Sequence, residues 1–397
     1  MDGVLDGVRI IDLSRFIAGP CASMLLADFG AEVIRVERSG GEEDRYIGLW
    51  APSGDSLMFL NQARNKKAIT LNYIYNKEAL ELFMRLIGKA DVLLHNFSPT
   101  AVKRMGIDYE TLSSINPGLI YAEVTAFGSR GAYANRLGFD PIAQALSGGS
   151  VLNGYEDHPP LRAGVPYVDY GTGFLTAFGI ALALYHRDRT RKGQKIESSL
   201  LKTAVAMNAL PISEYAVTGK KRTRIGNRRW YVGPSDLYRT KDGKWLYVTT
   251  VTKGLFTRWC RLLGREELTE RPDLSTDYDR FQKRDEIDPM VKGWILARTA
   301  EKAQAELMRA RIPYSLAYDV DEVAEDPQVK AEEVLIDLDH GEFGTFKLCG
   351  TPVSLLGTPA RVRLPGPRVG EHNQEIFCGL LGYPVQKLAE FQEKGVL

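Results

Sequence analysis

Asp169 opens the run Asp-Tyr-Gly-Thr-Gly. A carboxylate in that position can cap a helix that begins at Gly171, or it can serve as a covalent nucleophile. The residue pattern alone favours the cap, and Thr172 competes for it. Arg38 follows Glu37 at the end of a strand-like run. An acid there can hold a ribose, whereas an arginine favours a phosphate over a bare 2′-hydroxyl. The pair therefore suits an adenine nucleotide with an extra phosphate, such as the 3′-phosphate of coenzyme A. The dinucleotide fingerprint GxGxxG belongs between Leu13 and Pro20, where only Gly19 stands, so NAD is not expected. The patterns GxxxxGK[ST], GxSxG and HExxH are absent. The cysteines (Cys21, Cys260, Cys349, Cys378) and histidines (His95, His158, His186, His340, His372) are scattered without zinc-ligand spacing. Neither a disulfide framework nor a metal site is expected.

The chain has 397 residues, 44% hydrophobic and 25% charged, which is a globular composition. At roughly 150 residues per domain this implies two or three domains. Fifty-one basic residues face 50 acidic ones, for a net charge of +1, which argues against a nucleic-acid binder. The first residues, MDGVLDGVRIIDL, lack a basic start and an apolar core, so no signal peptide is expected. The longest apolar stretch, Gly171–Tyr185, reads as too short to span a bilayer. A soluble cytoplasmic protein with no membrane partner follows as an expectation.

Strands and helices must position these residues. Val8–Leu13, Glu32–Glu37, Ala68–Asn72, Asp91–Phe97 and Leu119–Thr125 read as buried strands. A helix begins near Pro20 and stops at Gly30. Another spans Lys77–Lys89, with Leu80, Phe83, Met84 and Ile87 as its apolar face. The alternation predicts an α/β fold: a Rossmann-like, doubly wound parallel sheet. Beyond residue 220 comes a basic run (Lys220, Lys221, Arg222, Arg224, Arg228, Arg229), read as a solvated linker. A hairpin about Asp242-Gly243 and helices near Phe256–Leu263 and Ile287–Ala297 indicate a smaller α+β domain. The expected organisation is a large domain over 1–205, a linker over 206–228, the small domain over 229–325, a linker over 326–345 and a return to the large domain over 346–397. That return is Pro- and Gly-rich and ends in a helical pattern from His372 to Leu381.

The chain also resembles a known family, the class III CoA transferases of the crotonobetaine, formyl-CoA and bile-acid type. The resemblance begins with DLSRFIAGPCASMLLADFGAEVIRVE (Asp12–Glu37) and continues through NKKAITLN, DVLLHNFSPTAVKRMGI and GFDPIAQALSG. It includes VDYGTGFLTAFGIALALYHRDRTRKGQKIESSL (Val168–Leu200) and returns in RARIPYSLAYDVDEVAEDPQV and GPRVGEHNQEIFCGLLGY. It implies a CoA transferase acting through an aspartyl anhydride and an enzyme–CoA thioester, with Asp169 as nucleophile and Asp140 orienting the site. Positions matching the CoA contacts are Ile17, Ala18, Arg38, Leu71, Asn96, Phe97 and Arg104. The implied substrates are an acyl-CoA and a carboxylic acid. The implied assembly is two interlocked chains, a homodimer or a heteromer with a related chain. In some heteromers of the family one subunit has lost the aspartate. A non-catalytic-type partner subunit is therefore a further alternative for this chain, although Asp169 is present and allows it to be the catalytic one.

Two departures matter. The glycine-rich flap of the formyl-CoA enzymes is replaced by VTTVTKGLFTRW, with only Gly254, so a lid of that type is not expected. The racemases of 2-methylacyl-CoA share the fold but carry a histidine where this chain has Phe139, so racemisation is the weaker alternative. Trp50, Phe59, Trp230 and Tyr231 are candidates either for an acyl pocket or for the core. Arg15 is a candidate to pair the second carboxylate of a succinate-like acid, which makes succinyl-CoA the favoured donor.

Overall fold

The computed structural model describes residues 3–397, with the side chain of Glu342 left aside. The chain divides into two compact units: residues 1–149, 162–213 and 328–397 form the first, and 150–161 with 214–327 form the second.

Six strands build the first unit's sheet: β1 (Arg9–Asp12), β2 (Glu32–Glu37), β3 (Lys66–Thr70), β4 (Val92–His95), β5 (Ile120–Thr125) and β6 (Lys195–Ser199). Their order is β3-β2-β1-β4-β5-β6, and every pairing is parallel. The predicted doubly wound α/β sheet is therefore present. The order reverses between β1 and β4, and ligands of such sheets bind outside the carboxyl ends of the strands at that reversal.

The helices are α1 (Ala18–Asp28), α2 (Leu57–Ala63), α3 (Lys77–Ile87), α4 (Pro99–Met105), α5 (Tyr109–Ile115), α6 (Asp140–Leu146), α7 (Gly149–Leu152), α8 (Tyr167–Thr190) and α9 (Leu200–Met207). Successive strand residues point to opposite faces. Ile10, Val33 and Leu94 thus pack with Leu26 of α1, Ile180 of α8 and Ala204 of α9. Ile11, Ile34 and Leu93 pack on the other face with Phe83 of α3, Met105 of α4 and Leu112 of α5. The C-terminal residues Phe377, Phe391 and Val396 complete that second core.

Several expectations shift. The buried stripe of α3 is Ala79, Leu82, Phe83, Leu86 and Ile87, one residue round from the expected face, with Leu80 and Met84 only partly buried. The apolar run Gly171–Tyr185 lies inside a 24-residue helix, because Tyr167–Tyr170 before it and the polar residues His186–Thr190 after it continue the helical turns. By length and composition α8 is long and apolar enough to cross a membrane, and half of its apolar window is buried in the fold. Strand β6 has no sequence signal, since KIESS is half-exposed at the sheet edge. The stretch read as a linker from 326 contains β10 (Leu335–Asp339), which pairs antiparallel with β11 (Thr345–Cys349). Residues 375–380 form a wide π-type turn within the expected last helix.

In the second unit, β7 (Ser235–Arg239), β8 (Trp245–Thr249) and β9 (Tyr314–Leu316) form an antiparallel sheet. Trp259 and Trp294 meet edge to face in its core, with ring centroids 5.6 Å apart. Only residues 250–252 separate β8 from the helix Lys253–Leu263, so no long flap stands there. The basic run is partly anchored and not a free linker. Arg222 is bonded by both forks to Glu214, Arg224 donates to the carbonyls of Tyr155 and Val151, and Arg228 pairs with Asp288. Trp230 and Tyr231 are partly exposed and pack on Phe281.

Candidate active site

The site grows from the end of β1. Asp12 is fully buried and accepts from Ser14 N–H, Ser23 Oγ and Lys66 Nζ at 2.9, 2.6 and 3.1 Å. Burial opposes its charge, but Lys66, Arg35 and the two hydroxyls hold the carboxyl below its ordinary range. This knot fixes where the loop leaves the sheet. Asn96, just past β4, then clasps that loop. Its Oδ1 accepts from Arg15 N–H at 3.1 Å and its Nδ2 donates to Arg15 C=O at 2.7 Å. The two loops flanking the reversal point are thereby one unit.

A cleft of about 320 Å³ opens at this point. Ile17, Ala18, Asn96, Phe97 and Asp169 all line it, together with Phe16 and Phe139. Glycines let its walls meet. A Cβ on Gly19 would lie 2.3 Å from Ser14 Cβ, and one on Gly173 would lie 2.8 Å from Ala18 O. Helix α8 therefore presses directly on the start of α1, bringing Asp169 beside Ile17 and Ala18.

Asp169 is not a cap. Helix α8 starts at Tyr167 and follows Pro166, so Asp169 sits within the first turn and Gly171-Thr172-Gly173 in the next. The cap comes from Asp140 on α6, whose Oδ2 accepts from the N–H groups of Val168 at 2.8 Å and Asp169 at 3.1 Å. Gln144 Nε2 donates to Oδ1 of Asp140, and Gln144 Oε1 accepts from Ala163 N–H. Two amides at the positive end of α8 thus already serve a carboxylate. Burial, and next the charge of Asp140, push the Asp169 carboxyl up to about 7. A carboxylate so destabilised is more basic than usual and is poised to switch near neutrality.

A sequence profile of CoA-transferase family III matches residues 5–373. The chain belongs to that family. It is 35% identical to the succinyl-CoA–D-citramalate CoA-transferase of Chloroflexus aurantiacus, across 99% of this chain and 98% of the relative. It is 32% identical to the beta subunit of that organism's succinyl-CoA–L-malate CoA-transferase, over the full length of both. The crystal structure of a CaiB/BaiF family protein from Brucella suis is 31% identical, with a TM-score of 0.83, across 96% of this chain and all of that one. The protein is thus a CoA transferase.

Not every residue expected at the site of this CoA transferase lies in the cleft. Arg38 follows β2 on the same carboxyl edge, is exposed, and donates to Gly41 C=O at 2.8 Å. Arg104 is exposed in the last turn of α4. Leu71 follows β3, but it is buried in the core and its N–H donates to Glu37 C=O at 2.8 Å, so it lies outside the cleft. Phe59 is likewise core: it is buried under the Arg45 guanidinium, while Trp50 is exposed. Arg15 lines the cleft, and its Nη1 bonds Glu42 and Glu43. Sequence reasoning passed over Thr125 and Ala126, which line the cleft just past β5, although their place after a predicted strand was the available signal. It gave Leu200 no role either, because β6 went unseen. Among the described residues no group of three His, Cys, Asp or Glu side chains could hold a metal ion.

Proposed function

We propose that this CoA transferase moves CoA from succinyl-CoA to a second carboxylic acid with Asp169 as the nucleophile. The observation that carries this reading is the placement of a carboxylate titrating near 7 in a cleft with Ile17, Ala18 and Asn96, at the reversal point of the sheet. Asp169 attacks the donor thioester carbonyl, and the C–S bond breaks to give a mixed anhydride and CoA thiolate. The thiolate then attacks the aspartyl carbonyl, releasing the donor acid as its carboxylate and leaving an Asp169–CoA thioester. The acceptor carboxylate reverses these steps. Each exchange joins acyl groups of comparable energy, so no ATP is needed. The first N–H groups of α1 have no carbonyl one turn back and suit the oxyanions that form. Asp140 is a positioning residue, since it fixes the start of α8 through two amides.

Two relatives are named for succinyl-CoA, which supports a succinyl donor. Arg15 lines the cleft but is bonded to Glu42 and Glu43, so it meets a second substrate carboxylate only by giving up one of those pairs. Phe139 lines the same cleft and cannot move a proton, which favours transfer over racemisation. Arg38 and Arg104 suit the phosphates of CoA. Along α8, Phe174, Leu175, Phe178 and Leu182 are exposed, a face that a second chain would cover. A heteromer is consistent with the subunit naming of the malate enzyme, and the presence of Asp169 fits the catalytic role.

The test is a panel of acyl-CoA donors and acids read by mass spectrometry, with calorimetry for ligands. Succinyl-CoA should donate to a dicarboxylic acid, CoA should bind, and NAD should not. Comparable NAD binding, or α-proton exchange without CoA transfer, would contradict the reading.

A further inference from the structure

We propose that Phe16 and Phe139 form an apolar shield that keeps water from the acyl intermediates on Asp169. This inference rests on the transferase reading above and concerns its fidelity. Two local rules of chain chemistry are broken here. Phe16 holds φ at 70°, a left-handed conformation that a bulky side chain rarely adopts. It is kept there by its N–H, which donates to Asp44 Oδ2 at 3.0 Å. Asp44 is itself buried and fixed by Arg35 Nη2 at 2.6 Å. Phe139 occupies the N-cap of α6, where Ser, Thr, Asp or Asn would each satisfy an amide, and it makes no capping bond. It is 58% exposed, so it is not placed there to fill the core.

The two exceptions meet. The rings stand edge to face at 5.6 Å, with planes at 87°, and both line the cleft with Asp169. Local disfavour at two positions that converge on one site indicates a use. The chemistry supplies one. The Asp169–CoA thioester is open to a wasteful reaction in which water oxygen bonds the aspartyl carbonyl carbon and the C–S bond breaks. CoA then leaves as the thiol and Asp169 returns as the carboxylate. The anhydride is open to the same attack. An enzyme that lets water in loses the acyl energy it should conserve.

The test uses the full-length protein with succinyl-CoA and ¹³C-labelled succinate. Label entering succinyl-CoA measures transfer, and free thiol measures hydrolysis. Phe139→Ala and Phe16→Gly should raise the ratio of hydrolysis to transfer by at least about tenfold, equivalent to ~1.4 kcal/mol of discrimination. Phe139→Leu, which keeps an apolar cover, should stay near wild type. Glycine adopts the φ of Phe16 without strain, and Phe139 is exposed, so neither variant should lose the fold. An unchanged ratio in both variants, even with slower turnover or a higher KM, would overturn the shield and leave the transferase reading standing. A wild-type protein that exchanges no label with any donor would overturn both.

Discussion

The two carboxylates of the site have unequal tasks, and the environment of each assigns them. Asp140 accepts two helix amides and a glutamine N–H, so its oxygens are committed to structure. Asp169 is left with burial and the charge of Asp140, both of which work against its ionised form. Its ionisation near pH 7 sets a pH dependence for transfer. Only the carboxylate attacks, so kcat/KM should rise with pH through about 7 and level off above it. At pH 6 it should be about a tenth of the plateau. Asp140→Asn removes a charge that raises the Asp169 pKa, so the acid limb should move to lower pH, even where the plateau drops because α8 has lost part of its cap. A pH–rate profile of both proteins checks this. An acid limb that stays near 7 in Asp140→Asn would show that Asp140 does not couple to Asp169.

Helices α1 and α8 form the element on which the site depends, and their contact is made by missing side chains. A Cβ on Gly173 would meet the backbone oxygen of Ala18, which cannot move without shifting the start of α1. A Cβ on Gly171 would meet the end of the flexible Met207 side chain. Gly173→Ala should therefore cost about 1–3 kcal/mol and most of the activity, and Gly171→Ala much less. Urea denaturation and turnover of the two variants, compared side by side, test the contact. Equal effects would mean that it does not position Asp169. The sequence made much of this scale legible. The strands from Val8 to Thr125 announce themselves as runs of β-branched residues because the sheet is buried on both faces. KIESS does not, because an edge strand exposed on one side has no need of apolar residues. The start of α8 was also hidden. A helix capped by Asp140, 29 residues before Asp169 in the chain, carries no local cap signal, and the visible Gly-Thr-Gly reads as its first turn. The face of α3 differs by one residue from its expected one for a simpler reason: Leu80 and Met84 are as apolar as the residues that point inward.

Across the whole molecule, the apolar flank of α8 is a candidate interface. Phe178 and Leu182 are each more than half exposed, beside Phe174 and Leu175. Exposed apolar patches of this kind mark interaction surfaces. The protein should be a dimer in light scattering, homomeric or with a related chain. Phe178→Glu combined with Leu182→Glu should shift it toward monomer or insoluble material. A double variant that remains a full dimer would place the interface elsewhere.

The central claim is that Asp169 forms the covalent bonds of the reaction, and trapping tests it most directly. The protein is incubated with succinyl-CoA, quenched with hydroxylamine and digested, and the peptide carrying Asp169 is weighed. The account predicts conversion of Asp169, and of no other carboxylate, to its hydroxamate. It also predicts that Asp169→Asn binds CoA yet neither transfers it nor acquires the label. Labelling of a different carboxylate, or full transfer by Asp169→Asn, would contradict it.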